Sequence, residues 1–314
     1  MTGETAHHKV MEPRSLLERT LHVYLHSPWR EAAAEGKVNI FNRMQAALPG
    51  WQFRFHPDSE AERDKAADRG HGLFHMQEPT APHILNLRRA YILPFWRIEA
   101  VAERWYFDVA QAAFDPEEIP IEEAATFQQR WRTKVIGEGL PHRDGTILVA
   151  LQGRLTEHRS FQSMSPVAMI ETTLDRLCDR TVVATLHPRE RYTAADLDAL
   201  ERLERRFPRF RLMRKPAPGL ILHCDAVITQ NSSVALHGFL ANKPAVLFAQ
   251  SDLHHIAGSV PRDGVTAAFE VLTGPRPDFA RYVTWFLRRQ AINGGAPDCE
   301  AQIVARFRRH GWDL

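Results

Sequence analysis

RTVVATLHPRERYTAADLDALERLERRFPRFRLMRKPAPGLILHCDAVITQNSSVALHGFLANKPAVLFAQSDLHHIAG, the stretch Arg180–Gly258, alternates short apolar runs with amphipathic ones. Thr181–Leu186 is apolar and stops at His187-Pro188. Proline cannot extend a sheet, so it ends the strand and leaves the preceding imidazole in the loop. Ala226–Thr229 stops at Gln230-Asn231-Ser232-Ser233, which opens a helix carrying Val234, Leu236, Phe239 and Leu240. Pro244–Ala249 is a third apolar run, followed by Ser251-Asp252-Leu253-His254-His255. Strands alternating with helices predict βαβ units and a parallel sheet. Such sheets bind ligands beyond the carboxyl ends of their strands, and all three polar motifs fall on that edge. Hydroxyls and free N–H groups at a helix start suit a phosphate. This half therefore reads as a nucleotide or nucleotide-sugar site.

The same alternation extends upstream. Thr146–Leu151 reads as a buried strand ending at Gln152-Gly153-Arg154, and Glu157, His158, Arg159 and Ser160 continue a long polar loop. Ser165-Pro166 starts a helix, with serine as N-cap and proline at the first helical position. Val167, Ile170, Leu174 and Leu177 form its apolar face. Thr193 caps the next helix, whose face is Leu197, Leu200, Leu203 and Phe207, and Arg209–Met213 is a short strand. Thr266–Leu272 is expected to be a further strand, with Pro277–Gln290 and Asp298–His310 as closing helices.

Before Thr146 the pattern is less regular. Residues 1–18 are expected to be flexible. His22–Leu25, Trp51–Phe55, Gly72–Met76 and Tyr91–Phe95 read as strands, and 38–48, 97–113 and 121–135 as helices. His26 and His56 sit at predicted strand ends. Gly137–Gly145 is the best linker. The expected division is a flexible 1–18, an α/β domain over 19–140, which the resemblance given below makes the acceptor side, and a nucleotide-sugar-binding Rossmann-like domain over 146–314.

The 314 residues, 44% apolar and 25% charged with a formal net charge of +2, describe a globular chain with no pull toward nucleic acid. Cys178, Cys224 and Cys299 are far apart and form no CxxC pair, which fits a reducing compartment. With no signal-type or membrane-spanning run, the expected location is cytoplasmic, at the inner face of the membrane if the Ile303, Val304 and Phe307 stripe of the last helix touches lipid. No metal or cofactor is expected. His254-His255 are adjacent and poorly placed to chelate one ion. Asp196-Leu197-Asp198 matches the DxD of metal-dependent glycosyltransferases only formally, because Leu197 belongs to an apolar helix face and the acids lie in the first turn.

The run ILVALQGR…SP…DRTVVATLHPRE…DAVITQNSSVALHGFLANKPAVLFAQSDLHHIAG resembles the nucleotide-binding half of capsule polysaccharide biosynthesis proteins, which include Kdo transferases and, more distantly, GT-B enzymes using CMP-activated donors. The shared motifs are Gln152, His187-Pro188, Ser232-Ser233 and Lys243-Pro244-Ala245-Val246. The resemblance implies an α/β, GT-B-like architecture of two Rossmann-type domains facing a central cleft. It implies transfer from a nucleotide sugar, CMP-linked Kdo being one option, to a surface polysaccharide or glycolipid. It also implies that His187 and the Ser232/Ser233 pair hold the nucleotide. Gln152, Arg154, Pro188, Gln230, Asn231, His254 and His255 complete the expected binding set, and Glu157, His26 and His56 are the candidate catalytic residues. Related transferases carry acids just after the glutamine, where this chain reads GRLTEHRS with Glu157 alone. Two alternatives therefore stay open: a sugar-nucleotide epimerase or polyol-phosphate transferase on the same scaffold, and an inactive GT-B-like binding subunit.

Overall fold

The computed structural model describes residues 19–213 and 218–314, so the stretch 1–18 expected to be flexible lies outside the described residues. The strands, in chain order, are β1 (Thr20–Leu25), β2 (Gln52–Pro57), β3 (Gly72–His75), β4 (Ile84–Arg89), β5 (Phe95–Glu99), β6 (Thr146–Ala150), β7 (Thr181–Thr185), β8 (Phe210–Met213), β9 (Ala226–Thr229), β10 (Ala245–Leu247), β11 (Gly258–Ser259) and β12 (Ile292–Asn293). They form two six-stranded sheets, ordered β12-β5-β4-β3-β1-β2 and β11-β10-β9-β6-β7-β8.

In the second sheet β6 pairs in parallel with β7 and β9, β7 with β8, β9 with β10, and β10 with β11. Relabelled from its first strand, this is the Rossmann order 3-2-1-4-5-6, whose switch point lies between β6 and β9. Ile147, Val149, Val182, Ala184, Ile228 and Val246 alternate onto one face and pack against the helices Pro166–Arg176 and Ala194–Arg206. Leu148, Val183, Val227 and Leu247 are buried on the other. Burial on both faces explains why these strands read as continuous apolar runs. Each fully buried Val, Leu or Ile contributes about 1.5–3 kcal/mol, so this sheet is the stable floor on which the loops stand. The helix Ile121–Val135 docks here through Gln128, whose Nε2 donates to the Phe239 carbonyl at 3.0 Å and to Asn242 Oδ1 at 2.8 Å.

The first sheet has a flavodoxin-like order, 2-1-3-4-5, extended by β12, with its switch point between β1 and β3. Leu21, Val23 and Leu25 face a core that includes Ile40, Phe41 and Met44, together with Ile303 and Phe307 of the C-terminal helix Cys299–Arg309. Asn39 Nδ2 donates to the Gly294 carbonyl at 2.8 Å, and Arg43 pairs with Glu300 at 2.8 Å.

The structure divides the chain differently from the expected 19–140 and 146–314. The first compact unit takes residues up to Arg88, Trp96–Ala102 and Ile292–Leu314; the second takes Arg89–Phe95 and Glu103–Ala291. The last helix returns to the first core, which a linear reading of motifs does not reveal. That return also overturns the membrane stripe, since Ile303 and Phe307 are fully buried. Among the described residues no helix is long and apolar enough to cross a membrane.

Three predicted elements change. Tyr91–Phe95 is a turn leading into β5, and β4 was not foreseen. The segment 97–113, expected to be helical, holds most of β5, a 3-10 turn at Arg104–Tyr106 and one helical turn at Asp108–Gln111. Arg97 and Glu99 are buried in that strand, Glu99 3.9 Å from Arg306, and two buried charges hid its pattern. Thr266–Leu272 lies in the helix Val260–Glu270 and the turn after it, because Val265, Ala268, Phe269 and Leu272 follow helical spacing.

Candidate functional site

The switch point of the second sheet brings two glutamines to its carboxyl edge. Gln152 follows β6, Gln230 follows β9, and Thr229 Oγ1 donates to the Ala150 carbonyl at 2.8 Å to fix the two strand ends. Gln230 is 1% exposed and donates through Nε2 to the Met164 carbonyl at 3.1 Å. Its Oε1, like that of Gln152, is buried without a hydrogen-bond donor. Such an oxygen costs about 1–3 kcal/mol, an expense that proteins tolerate at sites serving another purpose.

Asn231 Nδ2 donates to the Gln250 carbonyl at 3.1 Å and so ties the ends of β9 and β10 together. Ser232 Oγ accepts from the Val234 N–H at 3.3 Å, a cap-like contact at the start of the helix Val234–Leu240. Ser233 occupies the N-cap position, yet its hydroxyl makes no capping bond. Of the two serines, Ser233 keeps the more available hydroxyl.

His187 has a fixed direction. Its N–H donates to the Tyr192 hydroxyl at 2.7 Å, and its Nδ1 accepts from the Arg189 N–H at 3.3 Å. With Nδ1 as acceptor, the proton of the neutral ring resides on Nε2. Pro188 is exposed beside it. The loop after β7 touches the loop after β6: a Cβ added to Gly153 would lie 2.5 Å from Glu190 Oε2. A side chain at 153 would therefore push the Glu190 carboxylate aside.

Arg154 adopts a left-handed φ of 61° and pairs with Glu157 at 3.3 Å, both side chains being mostly exposed. The next part of the loop is locked by Asp196, which is 2% exposed. Its carboxylate accepts from Thr156 N–H at 3.2 Å, Thr193 N–H at 3.0 Å and Thr193 Oγ1 at 2.9 Å. Thr193 in turn caps the helix in a capping box. Hydrogen bonds from Thr193 and Thr156 hold the Asp196 carboxyl below its ordinary range against the opposing effect of burial. Asp196 is thus a fastening between loop and helix, as its position in a first turn predicts.

His254 and His255 stack on each other at 4.3 Å. Both ring nitrogens of His255 are engaged, with the Tyr282 hydroxyl at 3.2 Å and the Ala112 carbonyl at 3.1 Å, and burial lowers its pKa to about 4. His254 Nδ1 faces the Ser251 carbonyl at 2.8 Å. These contacts give His255 a packing role and leave it no free nitrogen for a ligand.

In the first unit, His26 is exposed after β1, at that sheet's own switch point, with its ring 5.7 Å from His75 at the end of β3. His56 lies on β2 opposite Tyr24. Its Nε2 meets His22 Nδ1 at 2.8 Å and its Nδ1 meets Arg69 Nη1 at 3.3 Å. Burial, then the Arg69 charge, lower its pKa, which keeps it neutral but fully engaged. Of the two histidines, His26 is the exposed one, and among the described residues no hydrogen bond engages its ring nitrogens.

Sequence reasoning passed over two groups in the second unit. The Asp252 carboxylate, 1% exposed beyond β10, accepts from the Tyr91 hydroxyl, and the Arg104 guanidinium covers the Tyr91 ring at 4.0 Å. Asp252 was visible in the Ser251–His255 motif, but its partners lie about 150 residues earlier and carried no local signal. The second group is Arg159 with Phe161, in the loop after β6.

No family model matches this chain, and no curated protein matches it. Among solved structures it is similar to KpsC of Thermosulfurimonas dismutans, a beta Kdo 2,7 transferase, at 13% identity over 92% of this chain and 99% of that one, with a TM-score of 0.51. The KpsC beta Kdo 2,4 transferase of the same organism matches at 12% identity over 82% and 88% of the two chains, TM-score 0.43. HepE of Anabaena, solved with UDP and glucose, matches at 8% identity over 92% and 99%, TM-score 0.37. At these identities the likeness is one of fold, and it rests on the first structure: two six-stranded, parallel-rich α/β sheets in one chain, a GT-B-like architecture.

Proposed function

We propose that this chain is a glycosyltransferase that takes a sugar from a nucleotide donor, CMP-linked Kdo being the leading candidate, and passes it to a surface polysaccharide or glycolipid acceptor. The observation that carries the reading is the switch-point edge of the second sheet. There Gln152, His187 with its Nε2–H, Gln230 and Ser233 follow the ends of strands in Rossmann order, and the fold is similar to that of a Kdo transferase. In glycosyl transfer the leaving nucleotide phosphate must be stabilised. His187 and the Ser232/Ser233 hydroxyls supply donors for this, with Arg154 in the loop after β6 as a further candidate. No metal is needed for that task, and Asp196 is consumed as a cap. His26, exposed where His56 is engaged on both nitrogens, is the stronger of the two histidine candidates for accepting the acceptor proton.

A second reading, a nucleotide-binding subunit without transfer activity, is favoured by Glu157. It is exposed and paired with Arg154, so solvent and that partner surround the one carboxylate of this loop. A thermal-shift screen of nucleotides and nucleotide sugars tests the binding, because a ligand of the native state raises its apparent stability. Donor consumption with acceptor then separates the two readings. The transferase reading fails if nucleotide sugar binds but is consumed with no acceptor.

A further inference from the structure

Arg159 is a half-buried cation of the second unit that meets no carboxylate among the described residues. The loop carrying it is built rigidly. Gln162 Oε1 accepts from the Arg159 N–H at 2.9 Å, and His158 Nε2 meets the Gln162 carbonyl at 2.7 Å. Gln162 forms a bridge to Ala249, the Ser163 N–H donates to the Phe248 carbonyl at 2.8 Å and the Gln250 N–H donates to that of Phe161 at 2.9 Å. The loop therefore spans the carboxyl edge from the end of β6 to the end of β10.

The guanidinium stacks over Phe161, 4.8 Å from its centroid, and Trp105 stacks on the same ring at 5.4 Å with a 20° tilt. Stacking fixes the plane of the guanidinium and leaves its hydrogen-bonding edge uncommitted. Among the described residues no side-chain or carbonyl oxygen accepts from it, and its Nε is buried without a partner. Gln162, 5% exposed, likewise has a buried Nε2 without an acceptor. Arg154, the arginine whose charge reaches Arg159, is by contrast paired with Glu157. Burial, then the charge of Arg154, disfavours the cation more than Glu190 and Glu157 favour it.

An oriented, half-buried guanidinium with a free edge matches an oxyanion in geometry and charge. We propose that Arg159 is a further anion-binding residue of this site and holds a carboxylate or phosphate oxygen of the bound donor, an inference that rests on the functional reading above. A phosphate would come from the nucleotide, a carboxylate from an acidic sugar such as Kdo.

The test is calorimetry on the full chain and its Arg159→Gln and Arg159→Lys variants. CMP, UDP and CDP are screened first; the tightest is carried forward with its nucleoside and with free Kdo. If the phosphate is the ligand, Arg159→Gln weakens the nucleotide about tenfold or more, spares the nucleoside, and Arg159→Lys falls between. If the carboxylate is the ligand, nucleotide affinity holds and Kdo affinity falls by a similar factor. Unchanged affinity for both overturns the assignment while leaving nucleotide binding standing. Equal weakening of nucleotide and nucleoside, with a lowered melting temperature of the free variant, overturns it in favour of a structural role. Failure of the wild-type chain to bind any of these compounds overturns the functional reading and this assignment with it.

Discussion

His187 shows how a two-residue motif acquires a direction. Proline ends β7, the Tyr192 hydroxyl holds the backbone, and the Arg189 N–H occupies Nδ1, so Nε2–H is the group left for a ligand. One charge-assisted hydrogen bond is worth about 1.5–3 kcal/mol, so His187→Ala should weaken nucleotide binding at least about tenfold without lowering the melting temperature of the free protein. Equal affinity in calorimetry would remove His187 from the site. His22 illustrates the opposite fate of a histidine. Burial, then the neighbouring His56 and Arg69 charges, lower its pKa from 6.5 to about 4. The native state thus binds fewer protons than the unfolded one between these values. The contribution is whole above pH 6.5 and is lost as pH falls toward 4, about 2 kcal/mol of it by pH 5. Urea unfolding at pH 8 and pH 5 should show this loss, and His22→Gln should shrink it. An equal loss in the variant would place the acid sensitivity elsewhere.

At the scale of elements, the Thr193–Asp196 cap joins a helix start to the loop after β6. Asp196→Ala removes the capping box and leaves Thr156 unpaired, which should cost about 1–3 kcal/mol of stability in chemical unfolding. A chelator should leave nucleotide binding and any transfer unchanged. Activity lost to chelator and restored by magnesium or manganese would reverse this and reopen the role of the acids. The cap was legible because Ser/Thr starts, proline at the first helical position and apolar spacing are local signals: Ser165 accepts from the Ala168 N–H at 3.2 Å, as a serine N-cap should. β9 was legible as an apolar run with sharp ends. β5 was not, because Arg97 and Glu99 are buried charges inside it, and the Arg306 that lies 3.9 Å from Glu99 is far along the chain. The candidate site divides the same way. Its strand-end motifs could be read, whereas the engagement of both His255 nitrogens and the Phe161–Trp105 stack behind Arg159 depend on residues about 30 to 140 positions away, beyond any local pattern.

The whole molecule turns on the return of the chain to its first unit. A division at the glycine-rich linker predicts that cutting away the last helix damages the second sheet's unit. The structure predicts the reverse, since Ile303 and Phe307 belong to the core of Leu21, Val23, Ile40, Phe41 and Met44. Removing residues 299–314 uncovers that core and deletes the Arg43–Glu300 pair. Each buried large apolar side chain lost costs about 2–5 kcal/mol, and loss of two exceeds the stability margin of many domains. Hydrogen exchange on the truncated chain should therefore show loss of protection in 20–25 and 39–47, while 146–150 and 226–229 keep theirs. If nucleotide binds only to the second sheet, the truncated chain should also keep its nucleotide affinity. Loss of protection confined to the second sheet would refute this assignment of the last helix.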